Sequence, residues 1–175
     1  LDRDQESKLN KKIQKLIKDH DLVIVSDYGH GLISDKTAKL IVKKSKFIAV
    51  NTQLNASNLG FHVISKYIGA NFITINETEM RHELRNKTED CIPLIKTLSK
   101  KLRSKYTHVT SGSMGSTIYN STLKEINSCP AFANKIVDKV GTGDTMLAIL
   151  AISLFKKFDI KFSMFLSALV AAQNI

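Results

Sequence analysis

Four short apolar runs, each ending in polar or small residues, constrain the fold of this chain more than any other feature. Leu22-Val23-Ile24-Val25 leads into Ser26-Asp27, Phe47-Ile48-Ala49-Val50 into Asn51-Thr52, and Phe72-Ile73-Thr74-Ile75 into Asn76-Glu77. The fourth, His108-Val109-Thr110, runs into Gly112. A continuous run of this length has no polar face to show to water, so it suits a strand covered on both sides. Segments of helical period lie between the runs. Leu9, Ile13, Leu16 and Ile17 recur with lysines between them, Ser34 stands as an N-cap before Ala38, Ile41 and Val42, and Ile92, Ile95, Leu98 and Leu102 mark a helix over 91–103. Strands alternating with amphipathic helices predict β-α-β units and one parallel sheet, with strands at 22–26, 47–51, 72–76 and 107–111.

The alternation then stops. Ser116–Tyr119 and Leu123–Ile126 flank Asn120-Ser121-Thr122, which predicts an antiparallel hairpin within 116–127. A glycine-rich turn at 141–143 opens an apolar helix through Leu147, Leu150, Ala151 and Leu154. A last helix carries Phe162, Phe165, Leu166, Leu169 and Val170, and the sequence stops at Ile175 without a cap signal, inside a helix by this reading. At 175 residues the chain has room for one domain with a sizeable core. No apolar run is long enough for a helix to cross a bilayer, and the first residues are charged rather than signal-like, so a cytoplasmic location is expected. Cys91 and Cys129 lack metal-binding spacing and are expected to be buried free thiols.

Lys and Arg total 26 against 16 Asp and Glu, a net charge of +10, which suits an anionic partner. The lysines are spread over several helices and no aromatic residues interleave with them. Solvated helix faces are therefore expected in preference to a nucleic-acid stripe.

In an open α/β sheet, ligands bind beyond the carboxyl ends of the strands, where this chain places its polar residues. The most informative segment there is Asp138-Lys139-Val140-Gly141-Thr142-Gly143-Asp144-Thr145, directly before a helix. Two glycines around a small residue let the backbone turn tightly and aim several N–H groups at one point. The positive end of the helix dipole stands behind them, which makes an anion hole. Asp144 lies beside it, where a carboxylate can take a hydroxyl proton while the amides stabilise charge on a transferred phosphoryl group. Taken alone, the same residues also describe a plain turn with Asp144 as helix cap.

The segment resembles the D-T-x-G-A-G-D signature of the PfkB (ribokinase-like) carbohydrate kinases, with Lys139 in place of Thr and Met146 in place of a usual Phe. The resemblance implies Asp144 as catalytic base and the amides of Gly141, Thr142 and Gly143 as the anion hole. Further segments follow in the family's order. Asn76-Glu77-Thr78-Glu79 is similar to the N-x-x-E motif, which implies Asn76 and Glu79 near Mg²⁺, through water; capping of the next helix is the alternative. Thr110-Ser111-Gly112-Ser113-Met114-Gly115 resembles the turn beside the ATP phosphates, implicating Thr110, Gly112 and Gly115. Ala168, Ala171 and Ala172 fall in a small-residue helix like the one lining the adenine pocket, a pattern that helix packing alone also produces. Asp27-Tyr28-Gly29-His30-Gly31 is similar to the D-Y-x-K-G segment of the heptose-phosphate kinase branch (the kinase domain of ADP-heptose synthase), with His30 where Lys is usual. Asp27, Gly29, Asn51, Gln53 and Asn55 are the substrate or phosphate candidates, the last within an amide-rich loop over 55–61.

The resemblance implies a three-layer α/β fold and ATP-dependent phosphorylation of a sugar or sugar phosphate, with ATP and Mg²⁺ as cofactors. Family members are about twice this length. Residues 1–175 are accordingly expected to be one partial domain, the nucleotide-binding and catalytic C-terminal part, without the N-terminal part that holds the sugar and forms the lid. Such a piece alone is expected to be inactive. A homodimer is compatible with this reading, and relatives in the heptose branch can carry a fused nucleotidyltransferase domain. The reading that competes with a kinase is a non-catalytic basic module that binds nucleic acid or a protein partner. No P-loop, dinucleotide fingerprint, nucleophile elbow or zinc spacing occurs.

Overall fold

The computed structural model describes residues 1–53, 64–132 and 141–173. In chain order the elements are α1 (Arg3–Lys18), β1 (Leu22–Asp27), α2 (Asp35–Lys44), β2 (Phe47–Thr52), β3 (Phe72–Asn76), α3 (Glu77–Leu84), α4 (Cys91–Leu102), β4 (Tyr106–Thr110), β5 (Ser116–Asn120), β6 (Glu125–Cys129), α5 (Thr142–Phe155) and α6 (Ile160–Ala172). Two 3₁₀ turns, Ile64–Tyr67 and Gly112–Met114, precede β3 and β5.

The strands form one sheet in the order β1-β2-β3-β4-β5-β6. The first four are parallel, and β5 and β6 are added antiparallel. Ser34 caps α2 as expected, its hydroxyl accepting from the Thr37 N–H. One face of the sheet packs against α1, α2 and α4 through a cluster that includes Val25, Ile41, Ile73, Ile95 and Leu98. The other face packs against α5 and α6 through Phe72, Ile118, Leu147, Leu150, Leu154 and Met164. Burying one such aliphatic side chain is worth about 1.5–3 kcal/mol, so the two clusters hold the three layers together.

Three expectations are corrected. The run at β1 is not covered on both faces: Ile24 is 40% exposed and Ser26 is also exposed, while Val25 and Asp27 are buried. Among the described strands β1 lies at the edge of the sheet. The hairpin turn sits later than its residue types suggest. Asn120 remains in β5 and its side chain accepts from the N–H groups of Thr122 and Leu123, so the turn runs through Lys124 at φ 58° and β6 begins at Glu125. The last helix is described as far as Ala172, with Gln173 as its C-cap, and the point at which the sequence stops lies outside the described residues. Of the two free thiols, Cys129 is buried and Cys91 only half-buried.

Among the described residues no helix is long and apolar enough to cross a membrane. The helices α5 and α6 carry little contrast between their faces, and α6 leaves Phe162, Phe165 and Leu169 outside.

Candidate active site

The glycine turn folds because Gly141 takes a left-handed conformation, φ 83°, that a side chain would strain. It forms the N-cap of α5 without a side-chain cap, and the first bond of the helix runs from Thr145 N–H to Gly141 O at 2.9 Å. The amides of Thr142, Gly143 and Asp144 therefore have no partner within the helix. A Cβ built on Gly141 or Gly143 meets nothing within 4 Å, so neither glycine is demanded by packing among the described residues. The Thr142 hydroxyl oxygen is buried and has no hydrogen-bond partner among those residues. Asp138, Lys139 and Val140, the first part of the motif, lie outside the described residues.

Asp144 sits in the first turn of α5, half-buried. Both of its carboxylate oxygens are engaged from the end of β1: Ser26 Oγ donates to Oδ1 at 2.7 Å and Tyr28 Oη to Oδ2 at 2.6 Å. Ser26 is the fifth residue of β1 and Tyr28 follows that strand, so both lie at its carboxyl end. The bond to Asp144 raises the Tyr28 phenol above its ordinary pKa, because a phenolate beside a carboxylate would lose the bond and gain repulsion.

These two partners escaped the motif reading, yet a signal for them existed. Residues two apart on a strand share a face, so Ser26 and Tyr28 point together, opposite to Asp27.

Asp27 points to the other side. Its Oδ2 takes Lys66 Nζ and Tyr67 Oη, both at 2.6 Å, and its Oδ1 takes the Gly29 N–H at 3.0 Å. Burial pushes the Asp27 carboxyl up, but these donors outweigh it and hold the group below the usual carboxylate range. The same contact, with burial, raises the Tyr67 phenol. Asp27 thus ties β1 to the 3₁₀ turn at Ile64–Tyr67, and Gly29 helps to hold it.

The remaining candidates divide in the same way. Asn51 is buried at the end of β2, its side-chain amide donating to Thr74 O at 3.0 Å. Gln53 follows β2, half-buried and near the Tyr28 phenol. Asn55 and the loop over 55–61 lie outside the described residues. Asn76 and Glu79 form a reciprocal cap on α3, with Glu79 N–H on Asn76 Oδ1 at 2.8 Å and Asn76 N–H on Glu79 Oε2 at 3.0 Å. Thr110 closes β4, and Gly112 lies exposed in the following 3₁₀ turn. Gly115, at φ 90°, is required by the fold itself: a Cβ there would fall 2.1 Å from Cys129 O. On α6, Ala168 and Ala171 are buried and Ala172 is half-buried.

With a carboxylate and a glycine turn at the head of α5, and a parallel sheet behind them, comparison with known proteins becomes decisive. The sequence matches the pfkB family of carbohydrate kinases over residues 2–175. This chain belongs to that family. Among curated relatives, the bifunctional protein HldE of Campylobacter curvus is 31% identical over 170 residues, covering 95% of this chain and 35% of HldE. The HldE of Campylobacter jejuni strain RM1221 is 30% identical over 158 residues, 89% of this chain and 33% of that protein. Phosphofructokinase-2 of Escherichia coli in complex with potassium shares the fold at a TM-score of 0.79 with 12% identity, over 98% of this chain and 56% of its own. Arabidopsis thaliana ribokinase complexed with ribose and ATP does so at 0.70 with 19% identity, over 92% and 51%. The family chain therefore spans about a third of the HldE relatives and just over half of these two structures.

Proposed function

We propose that this carbohydrate-kinase chain carries the catalytic base and anion hole for ATP-dependent phosphoryl transfer to a hydroxyl of a sugar or sugar phosphate. A heptose phosphate is the preferred acceptor class, on the likeness of Asp27-Tyr28-Gly29-His30-Gly31 to the heptose-phosphate kinase segment. The observation that carries this reading is the placement of Asp144 in the first turn of α5, oriented by Ser26 and Tyr28 beside the amides of Thr142 and Gly143. A carboxylate held by two hydroxyls keeps lone pairs for an acceptor hydroxyl, takes its proton as the new O–P bond forms, and pays little to be positioned. The amides and the α5 dipole stabilise the charge on the transferred group.

ATP is the donor in this reading, and the turns at 110–115 and 141–143 face its phosphates. The hard oxygens of Asn76 and Glu79 suit Mg²⁺ through water rather than directly, because each already accepts an N–H in the α3 cap. Among the described residues no group of three or more His, Cys, Asp or Glu side chains could hold a metal. When bound, the ion would neutralise phosphate charge. In this reading most of the residues that hold the sugar lie outside these 175 residues.

The test is an ATP-consumption assay over a panel of sugars and sugar phosphates, run on the full-length protein and on these 175 residues alone. Sugar-dependent turnover is expected of the full-length protein. The chain alone should turn over far more slowly, because positioning can be worth about 7–11 kcal/mol of barrier. Absence of sugar-dependent turnover in the full-length protein, with an oligonucleotide bound instead, would overturn the kinase reading.

A further inference from the structure

We infer that an open pocket at the opposite end of the sheet binds a small phosphate-bearing anion. The pocket has a volume of about 590 Å³ and lies where α4 ends, β4 begins and β5 turns into β6. Four cationic side chains line it, Lys96, Lys100, Arg103 and Lys105, and no carboxylate does. The ion pairs found among the described residues involve Lys8, Lys46, Lys66, Arg81 and Lys101, and none of these four. Lys105 lies 5.0 Å from the centre of the Tyr106 ring. Four like charges around one concavity repel each other, and an anion placed among them reverses that cost.

The floor beneath the cations is a built frame. Ser99 Oγ and Ser121 Oγ both donate to Ser104 O, at 3.1 and 2.9 Å, and Ser104 Oγ bonds Thr107 Oγ1 at 2.6 Å. These bonds lock the end of α4, the start of β4 and the hairpin turn together, so the charged side chains project from fixed positions. Ordinary helix electrostatics account for only part of the cluster. Lys100 lies in the last turn of α4, where a cation offsets the helix dipole. Lys96 stands a turn earlier, and Lys105 follows the helix. Arg103 holds the left-handed C-cap position, φ 53°, where the backbone favours glycine, yet the chain carries a guanidinium there.

The volume lies within the range of small-molecule sites, roughly 300–1,000 Å³, and the half-buried Tyr119 adds an aromatic wall. A compact, multiply charged ligand fits this shape better than a nucleic-acid strand, which needs an extended groove. The pocket is separate from the Asp144 end: β4 runs from Tyr106 here to Thr110 there, four steps of ~3.3 Å, about 13 Å.

The test is a titration of the ¹⁵N-labelled chain with inorganic tripolyphosphate, and in a second arm with ATP, followed by amide chemical shifts. Saturating shifts are expected at Arg103, Lys105, Ser121 and Thr122. The double substitution Lys96→Gln/Arg103→Gln should weaken this binding at least about tenfold, whereas Lys12→Gln/Lys15→Gln, an equal loss of charge on α1, should change it less than about twofold. Melting temperatures check that both variants are folded, and Lys105→Gln serves if the first pair is not. Binding by tripolyphosphate and ATP alike assigns the pocket to the phosphate chain, and stronger binding by ATP adds a base on Tyr119. Shifts confined to Gly141–Gly143, equal weakening by the α1 control, or response only to an oligonucleotide would overturn the inference.

Discussion

The Tyr28 hydroxyl donates a 2.6 Å hydrogen bond to Asp144 Oδ2, joining residues 116 positions apart. With Ser26 on the other oxygen, it sets the direction in which the carboxylate faces. In the proposed reading of Asp144 as base, that orientation is part of the catalysis.

Asp144→Asn in the full-length enzyme is expected to lower kcat by about 10²- to 10⁴-fold, with a much smaller effect on KM for ATP. Asparagine keeps the shape but cannot accept the proton. If Asp144 only caps α5, the substitution should instead lower the melting temperature and leave turnover nearly intact. Measuring both separates the two roles.

Tyr28→Phe removes one of the two hydrogen bonds that orient the Asp144 carboxylate, the proposed base. A hydrogen bond to a charged group is worth about 1.5–3 kcal/mol, so kcat should fall roughly 10- to 100-fold while ATP binding holds. Ser26→Ala should act in the same direction, and the double variant should lose less than the sum because the two share one carboxylate. Kinetics of the three variants check this; an unchanged kcat in Tyr28→Phe would remove it from the site.

His108 gives the fold a pH dependence of its own. It is fully buried in β4, with Nδ1 bonded to Thr74 Oγ1 at 2.8 Å and Nε2 without a partner among the described residues. Burial holds its pKa down to about 3, against an ordinary 6.5. Because the folded value is depressed, the unfolded chain takes up the proton first. Stability is therefore full above pH 6.5 and is lost progressively as pH falls toward 3. Asp27 also has a depressed value, so its contribution fades only below the ordinary 3.8, and the slope nearer pH 5–6 belongs to His108. Denaturant unfolding across that range should lose the slope in Thr74→Val/His108→Leu, which removes both partners.

Gly112 and Gly115 are both in the turn that resembles a phosphate-contacting segment, but the fold treats them differently. Gly115→Ala should destabilise by more than the about 1–3 kcal/mol of left-handed strain, because the new Cβ collides with the backbone of Cys129 and Pro130. At Gly112 nothing lies within 4 Å, so alanine there costs strain alone, about 1 kcal/mol, and any larger effect appears in nucleotide affinity. Thermal unfolding of the two variants beside their ATP affinity distinguishes packing from ligand approach.

The sequence by itself determined the layering of this protein. Apolar runs at 22–25, 47–50 and 72–75, with 3.6-period segments over 9–17, 38–42 and 92–102 around them, leave few alternatives to a parallel sheet between helices, since periodicity is a local property set by which atoms must avoid water. It also showed the glycine turn before α5, because a left-handed backbone at Gly141 needs a residue without a side chain. Only the tertiary structure decided which side chains each carboxylate meets. The motif singles out Asp144 and leaves Asp27 as a substrate candidate, but the partners are hidden: Lys66 and Tyr67 close on Asp27 while Ser26 and Tyr28 hold Asp144. Those partners are brought together by loop closures across 39 to 118 residues, and no spacing rule reaches that far. The exposed face of β1 was likewise invisible locally: a strand's residues are the same whether or not another layer covers them, and only the packing of helices against the sheet settles the matter.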